Sequence, residues 1–203
     1  MKSAFVLLLA LGSLNSASVA ATQTFDFKDP KGVNNAVFKL DAPLEAISGN
    51  ATGVSGMVNF DPENPAATHG KIVVATSSLH VGNPMQQQHM LSDKWMDAAK
   101  YPELSFEAKD LKNVKTSGDV TAADVTGTFT LKGTSKEITV PVKFTFLKDK
   151  LGQRVPNLKG DLLVIRSSFS VKRSDFGLMP GQVEDKVSDA IELTLSIAGA
   201  SPR

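Results

Sequence analysis

Beyond its first twenty residues the chain alternates apolar and polar side chains in one segment after another, and a period of two marks strands that bury a single face. The clearest case is Ile138-Thr139-Val140-Pro141-Val142-Lys143-Phe144-Thr145-Phe146, where the apolar residues share one face and Thr and Lys mostly take the other. Pro141 has no N–H for a ladder bond, so it predicts an edge, a bulge or a bend. Val125 to Lys132 alternates in the same way, and Gly133-Thr134 joins the two segments as a hairpin turn. Similar stretches run over Phe25–Lys28, Ala36–Leu40, Gly53–Asp61, Gly70–Leu79, Leu104–Leu111, Leu158–Val171 and Val187–Ala198. Roughly eight to ten strands with short Gly, Pro, Asn or Asp turns predict an all-β domain, a sandwich or a barrel.

Two stretches break the pattern. Pro84 to Ala99 spaces Met85, Met90, Leu91, Trp95 and Met96 mostly three to five apart, with Pro84 at its start and Tyr101-Pro102 at its end. This predicts one or two amphipathic helical turns covering an opening or a side of the barrel. Lys172 to Lys186 contains Gly177, Pro180 and Gly181 and predicts a rim or lid. With no repeat and no linker, residues 21–203 read as one domain, a comfortable length for a single core.

The N terminus points to export. Lys2 precedes an apolar run from Ala4 to Leu14, and small residues end in Ser18-Val19-Ala20, the pattern of a secretory leader cleaved near Ala20. An apolar run of about ten residues spans ~15 Å as a helix against ~30 Å of hydrocarbon, so an anchor is the weaker reading. The expected location is the periplasm or the medium. Removing residues 1–20 takes one Lys and no acid from 22 basic and 21 acidic residues, leaving a formally neutral chain. Neutrality without basic clusters argues against nucleic acid and against electrostatic adhesion to anionic lipid. No later run is apolar enough for stable membrane insertion. The absence of cysteine removes disulfides and thiolate chemistry.

Little in the chain signals catalysis. His69, His80 and His89 lack the two- to five-residue spacing of a zinc site, so no metal is expected. No serine sits in a Gly-x-Ser-x-Gly elbow, and glycine-rich phosphate loops are missing. Asp93 and Asp97 read as solvated helix surface. The aromatics are more telling: Phe106, Phe129, Phe144, Phe146 and Phe169 all fall on the apolar side of strands. Pattern alone favours a filled core over a ligand cavity, though a barrel of about eight strands is near the size at which either is feasible.

Three blocks carry a resemblance. The first runs from Ser77-Ser78-Leu79-His80-Val81-Gly82-Asn83 through His89-Met90-Leu91-Ser92 and Trp95-Met96-Asp97 to Lys100-Tyr101-Pro102-Glu103-Leu104-Ser105-Phe106. The second is Gly127-Thr128-Phe129-Thr130-Leu131-Lys132-Gly133-Thr134-Ser135-Lys136, and the third Lys172-Arg173-Ser174-Asp175-Phe176-Gly177 ahead of Asp189-Ala190-Ile191-Glu192-Leu193. In this order and over residues 22–198 they resemble the YceI-like family of secreted bacterial proteins, also called polyisoprenoid-binding or lipocalin-like.

The resemblance implies a single antiparallel lipocalin-like β-barrel of about eight strands with a short helical insertion. It implies an interior that binds an apolar small molecule, an isoprenoid or quinone-like amphiphile, with no catalytic residue and no other cofactor. The lining expected is Met90, Leu91, Trp95, Leu104, Phe106, Phe129, Val142, Phe144, Phe146, Phe169, Phe176 and Leu193. Arg173 and Asp175 would stand at the rim or pair to stabilise a turn. Relatives often carry Arg-Asp ahead of a His-Leu pair, whereas this chain has Gln86-Gln87 ahead of His89-Met90, which alters any charged role there. About fifteen buried carbons would supply ~12 kcal/mol gross, before ordering costs. Two other readings stay open: a filled structural or stress-related barrel, and an enzyme using His89 or Asp175. Oligomeric state is also open, with a homodimer as one option.

Overall fold

The period of two is realised most regularly in β8 (Val120–Leu131), where Thr121, Ala123, Val125, Phe129 and Leu131 are buried and Ala122, Asp124, Thr126, Thr128 and Thr130 are not. The structure, a computed structural model, describes residues 22–203, so the expected leader lies outside the described residues. Seven more strands join β8 in a closed ring: β1 (Gln23–Asp26), β4 (Val54–Phe60), β5 (His69–Ala75), β7 (Glu103–Ser117), β9 (Thr134–Leu147), β10 (Gly160–Lys172) and β11 (Ala190–Pro202). Every pairing is antiparallel, and Asp26 opposite Ala200 closes β1 on β11. The expected eight-stranded antiparallel barrel is therefore present. Among the described residues no helix is long and apolar enough to cross a membrane.

Three shorter strands continue the wall at one end, here called upper: β2 (Asn35–Asp41), β3 (Ala46–Ala51) and β6 (Leu79–Val81), in the order β11-β2-β3-β6. The period-two pattern missed β3, whose Ala-Ile-Ser-Gly-Asn-Ala sequence has little strand character. It is held by close packing instead: a Cβ on Gly49 would lie 2.2 Å from Phe38 Cζ and 2.4 Å from the His80 carbonyl oxygen. Where β1 gives way to β2, the buried Asn34 side chain takes a strand's place. Its Nδ2 donates to the Phe27 and Ala198 carbonyls, and its Oδ1 accepts from the Ala198 N–H at 2.9 Å.

Pro141 lies inside the sheet, opposite Asp124 of β8, and not at an edge. Its effect is on the other side. The β9–β10 ladder runs from Leu147 opposite Leu162 to Val142 opposite Ser167 and ends there. Ser167 Oγ then donates to the Pro141 carbonyl at 2.7 Å. Above this point β9 and β10 separate. The β8–β9 turn is Lys132-Gly133, one residue earlier than expected, with φ of 47° and 72°. Both values suit a type I′ turn and the twist of the hairpin.

The helical insertion is α1 (Pro84–Leu91), followed by turns to Pro102. Asn83 caps it, accepting from the Met85 and Gln86 N–H groups. Gln87 fastens α1 to the barrel by completing the free edge of β6, accepting from Val81 N–H and donating to the Leu79 carbonyl, both at 2.8 Å. That is a polar pinning role, filled here by an uncharged side chain.

Candidate ligand-binding site

The phenylalanines of the barrel divide into two sets along its axis. At the lower end Phe25, Phe27 and Phe60 are at most 1% exposed. Phe60 stacks on Phe144 at 5.6 Å between centroids, and Phe25 meets Phe146 edge-on at 6.2 Å. These rings pack against one another as a closed floor. Above it the barrel is hollow.

The lower cavity, about 140 Å³, is walled by Phe106 of β7, Val142 and Phe144 of β9, Phe169 of β10 and apolar residues of β5 and β8. The upper one, about 310 Å³, is walled by Leu40, Ile47, Val81, Met90, Trp95, Met96, Leu131, Val171, Leu178 and Ile191. Phe38, Leu79, Leu104, Phe129 and Leu193 line both, so they form a waist between two chambers. Phe129 is held there by edge contacts with Phe169 at 6.2 Å and Phe176 at 5.4 Å. Polar side chains gather at the upper mouth, where Glu45, Gln86, His89 and Lys186 reach the cavity. The arrangement is two apolar chambers that meet at shared side chains, with polar residues collected at the upper one.

Nine of the expected lining residues face these chambers: Met90, Trp95, Leu104, Phe106, Phe129, Val142, Phe144, Phe169 and Leu193. Three do not. Phe146 belongs to the floor beside Phe25 and Phe60, because the lower end closes between it and Phe144. Phe176 is 2% exposed and packs behind Phe129, supporting the wall without lining it. Leu91, next to Met90 on α1, packs against the upper apolar cluster without bordering the cavity. Strand β2 contributes Phe38 and Leu40, which the sequence pattern placed on a strand without marking them as lining.

Arg173 also differs from its expected place. It is 1% exposed and lies in the wall of the upper chamber instead of standing at an open rim. Its partners are carbonyls and not Asp175: Nη1 donates to Leu178 and Met179, Nη2 to Gln182 and Val187, and Nε to Val187 and Ser188. One side chain thereby folds residues 177–188 back over the cavity as a lid. Asp189 closes the same turn by accepting from the N–H and hydroxyl of Ser174, both at 2.9 Å. Burial alone raises the Asp189 carboxyl, but Ser174 and the charges of Arg173 and Lys172 outweigh it and hold it below the ordinary 3.8. Met179 and Val183 of the lid sit at φ of 45° and 49°, a left-handed conformation unfavourable for a β-branched residue.

Asp175 is exposed and lines neither chamber, and His89 is exposed at the mouth. His69 pairs with Asn59, and His80 is exposed on β6. Among the described residues no group of three or more His, Asp or Glu is placed to hold a metal ion.

A family model described as the YceI-like domain matches residues 19–198. A UPF0312 protein of Pseudomonas paraeruginosa is 29% identical over 196 residues, covering 94% of this chain and 96% of the relative. Among solved structures, BcnA of Burkholderia cenocepacia superposes with a TM-score of 0.64 at 21% identity, over 81% of this chain and 94% of that one. A polyisoprenoid binding domain from Saccharophagus degradans, implicated in plant cell wall breakdown, superposes with a TM-score of 0.63 at 12% identity, over 90% of this chain and all of that one. At these identities the solved structures establish the fold.

Proposed function

The chain belongs to the YceI-like domain family, and from that premise we propose that it is an exported carrier or scavenger that holds a long isoprenoid or quinone-like amphiphile inside its barrel. The observation that carries the reading is the form of the interior: two apolar chambers in line, joined at a waist, with polar side chains collected at the open end. A linear chain suits that shape, because each methylene buried contributes about 0.8 kcal/mol and a polar head can stay at the entrance. The fold neighbour from Saccharophagus degradans is a polyisoprenoid binding domain, which is the same chemistry. The reading is one of binding without reaction, and export rests on the leader-like residues 1–20.

Native mass spectrometry of the protein purified from its host, followed by solvent extraction, tests the proposal. A co-purifying lipid of defined mass is the expected result. A protein that carries nothing and takes up no prenyl alcohol would overturn it. An intact N-terminal mass showing residues 1–20 still attached would overturn the export part.

A further inference from the structure

We propose that the mouth of the upper chamber docks reversibly on a lipid bilayer through Leu44, Met85 and Val183, so that cargo passes between membrane and barrel without crossing water. This rests on the carrier reading above. Seven large apolar side chains are well exposed among the described residues, and the two most exposed, Leu44 and Met85, are each 67% accessible. Both stand at this one end. Leu44 precedes the mouth residue Glu45 in the turn between β2 and β3, and Met85 precedes the mouth residue Gln86 at the start of α1. Val183, 41% exposed, lines the mouth itself from the lid. A hydrogen bond from the Leu44 N–H to the Asp185 carbonyl, at 2.8 Å, ties the turn to the lid and keeps two of the three prongs together.

The distribution is specific. Val33 and Leu158 lie at the closed lower end, while Val37 and Met57 stand on strands. Among the described residues, only at the mouth do exposed apolar side chains from three separate elements stand beside an apolar cavity. Such clusters mark interaction sites, and here the cavity continues the cluster inward. The chemistry of the occupant follows from charge and continuity. Beside the prongs stand three acids, Glu45, Glu184 and Asp185, and one base, Lys186, so the mouth offers no basic patch for an anionic surface. A bilayer offers an uncharged apolar interior beneath a polar surface, matching apolar prongs among polar neighbours. Pressed against it, the mouth opens onto the medium in which a long amphiphile already resides.

The test is transfer of a fluorophore-labelled farnesol from phosphatidylcholine vesicles to the protein, with affinity for the same probe measured separately without vesicles. The rate for the unaltered protein should rise with vesicle concentration and be insensitive to salt. The double variant Leu44→Asp/Met85→Asp should transfer about tenfold more slowly or worse, since it sets charges against the bilayer. Its affinity for the free probe should be unchanged. Val33→Asp/Leu158→Asp, at the far end, should transfer like the parent. A rate that is flat in vesicle concentration, that falls steeply with salt, or that the mouth variant leaves intact overturns the docking and leaves the carrier reading standing. Failure of the parent protein to bind the probe at all overturns both.

Discussion

The Arg173 guanidinium lies over the Trp95 indole, 5.7 Å from the ring centroid. The contact joins the two segments that the strand pattern does not include: the turns after α1, which supply the indole, and the lid, whose carbonyls take up the guanidinium donors. A buried cation is costly unless its donors are satisfied, and here carbonyl oxygens and a π face satisfy them.

Arg173→Lys is therefore expected to be far from conservative. An ammonium keeps the charge but has three donors on one atom, too few and too compact to reach carbonyls from Leu178 to Ser188. Leaving these groups unpaired should cost about 2–4 kcal/mol. Urea unfolding measures the loss, and hydrogen exchange should localise the loosening to residues 177–188. Trp95→Phe retains a ring and should cost about 1 kcal/mol or less.

How much of this was legible in the sequence depended on whether the determinant was local. In β8 and β9 each residue's face is set by its neighbours, so alternation was enough to place Val125, Phe129, Val142 and Phe144 inward. Position along the barrel axis is not local, because it depends on how strands are staggered around the ring. That is why Phe144 and Phe146, identical by pattern, separate into chamber wall and floor. Asn34 and Arg173 were opaque for a related reason. Each supplies partners to backbone groups that lack them, Asn34 to Ala198 far along the chain and Arg173 to a lid five to fifteen residues ahead, and neither residue type announces that it will. β3 escaped because its place comes from Gly49 lying under Phe38, a fit between strands.

The division into floor and wall predicts unequal costs for the same substitution. Phe60 is 1% exposed between Phe144 and Phe146, so Phe60→Ala should open a new void and cost about 3–5 kcal/mol. Phe169 already borders empty space, so Phe169→Ala enlarges an existing cavity and should cost about 1–2 kcal/mol. Chemical denaturation of both variants without ligand makes the comparison. Equal, large losses would mean that the space beside Phe169 is closed in solution.

Acid should loosen the lid before it unfolds the barrel. Asp189 is held below its ordinary value of 3.8, so ionised Asp189 stabilises the Ser174 turn at every pH above about 3.8. The contribution shrinks as pH falls from that value through the lower folded one, where the protonated carboxyl no longer accepts two bonds. Asp189→Asn should remove this dependence, with a neutral-pH stability below that of the parent. Exchange rates of lid amides, followed from neutral pH down to about 3 after correction for intrinsic rates, should rise in the parent and stay flat in the variant.

The waist makes the length of the interior a matter of one side chain. Leu193 projects from β11 into the boundary between the chambers, bordering both. Leu193→Trp should fill that boundary and leave the upper chamber open to the mouth. Overpacking ordinarily costs about 1–3 kcal/mol, and the empty space on either side should keep the cost at the lower end. A short prenyl alcohol such as geraniol fits above the block and should bind with little change. Geranylgeraniol, which must pass the waist to bury its tail, should lose affinity in proportion to the methylenes left outside, about 0.8 kcal/mol for each. Calorimetric titration of both alcohols against parent and variant decides the matter: parallel losses would place the cargo in the upper chamber alone, and selective loss of the long chain would place its tail beyond Leu193.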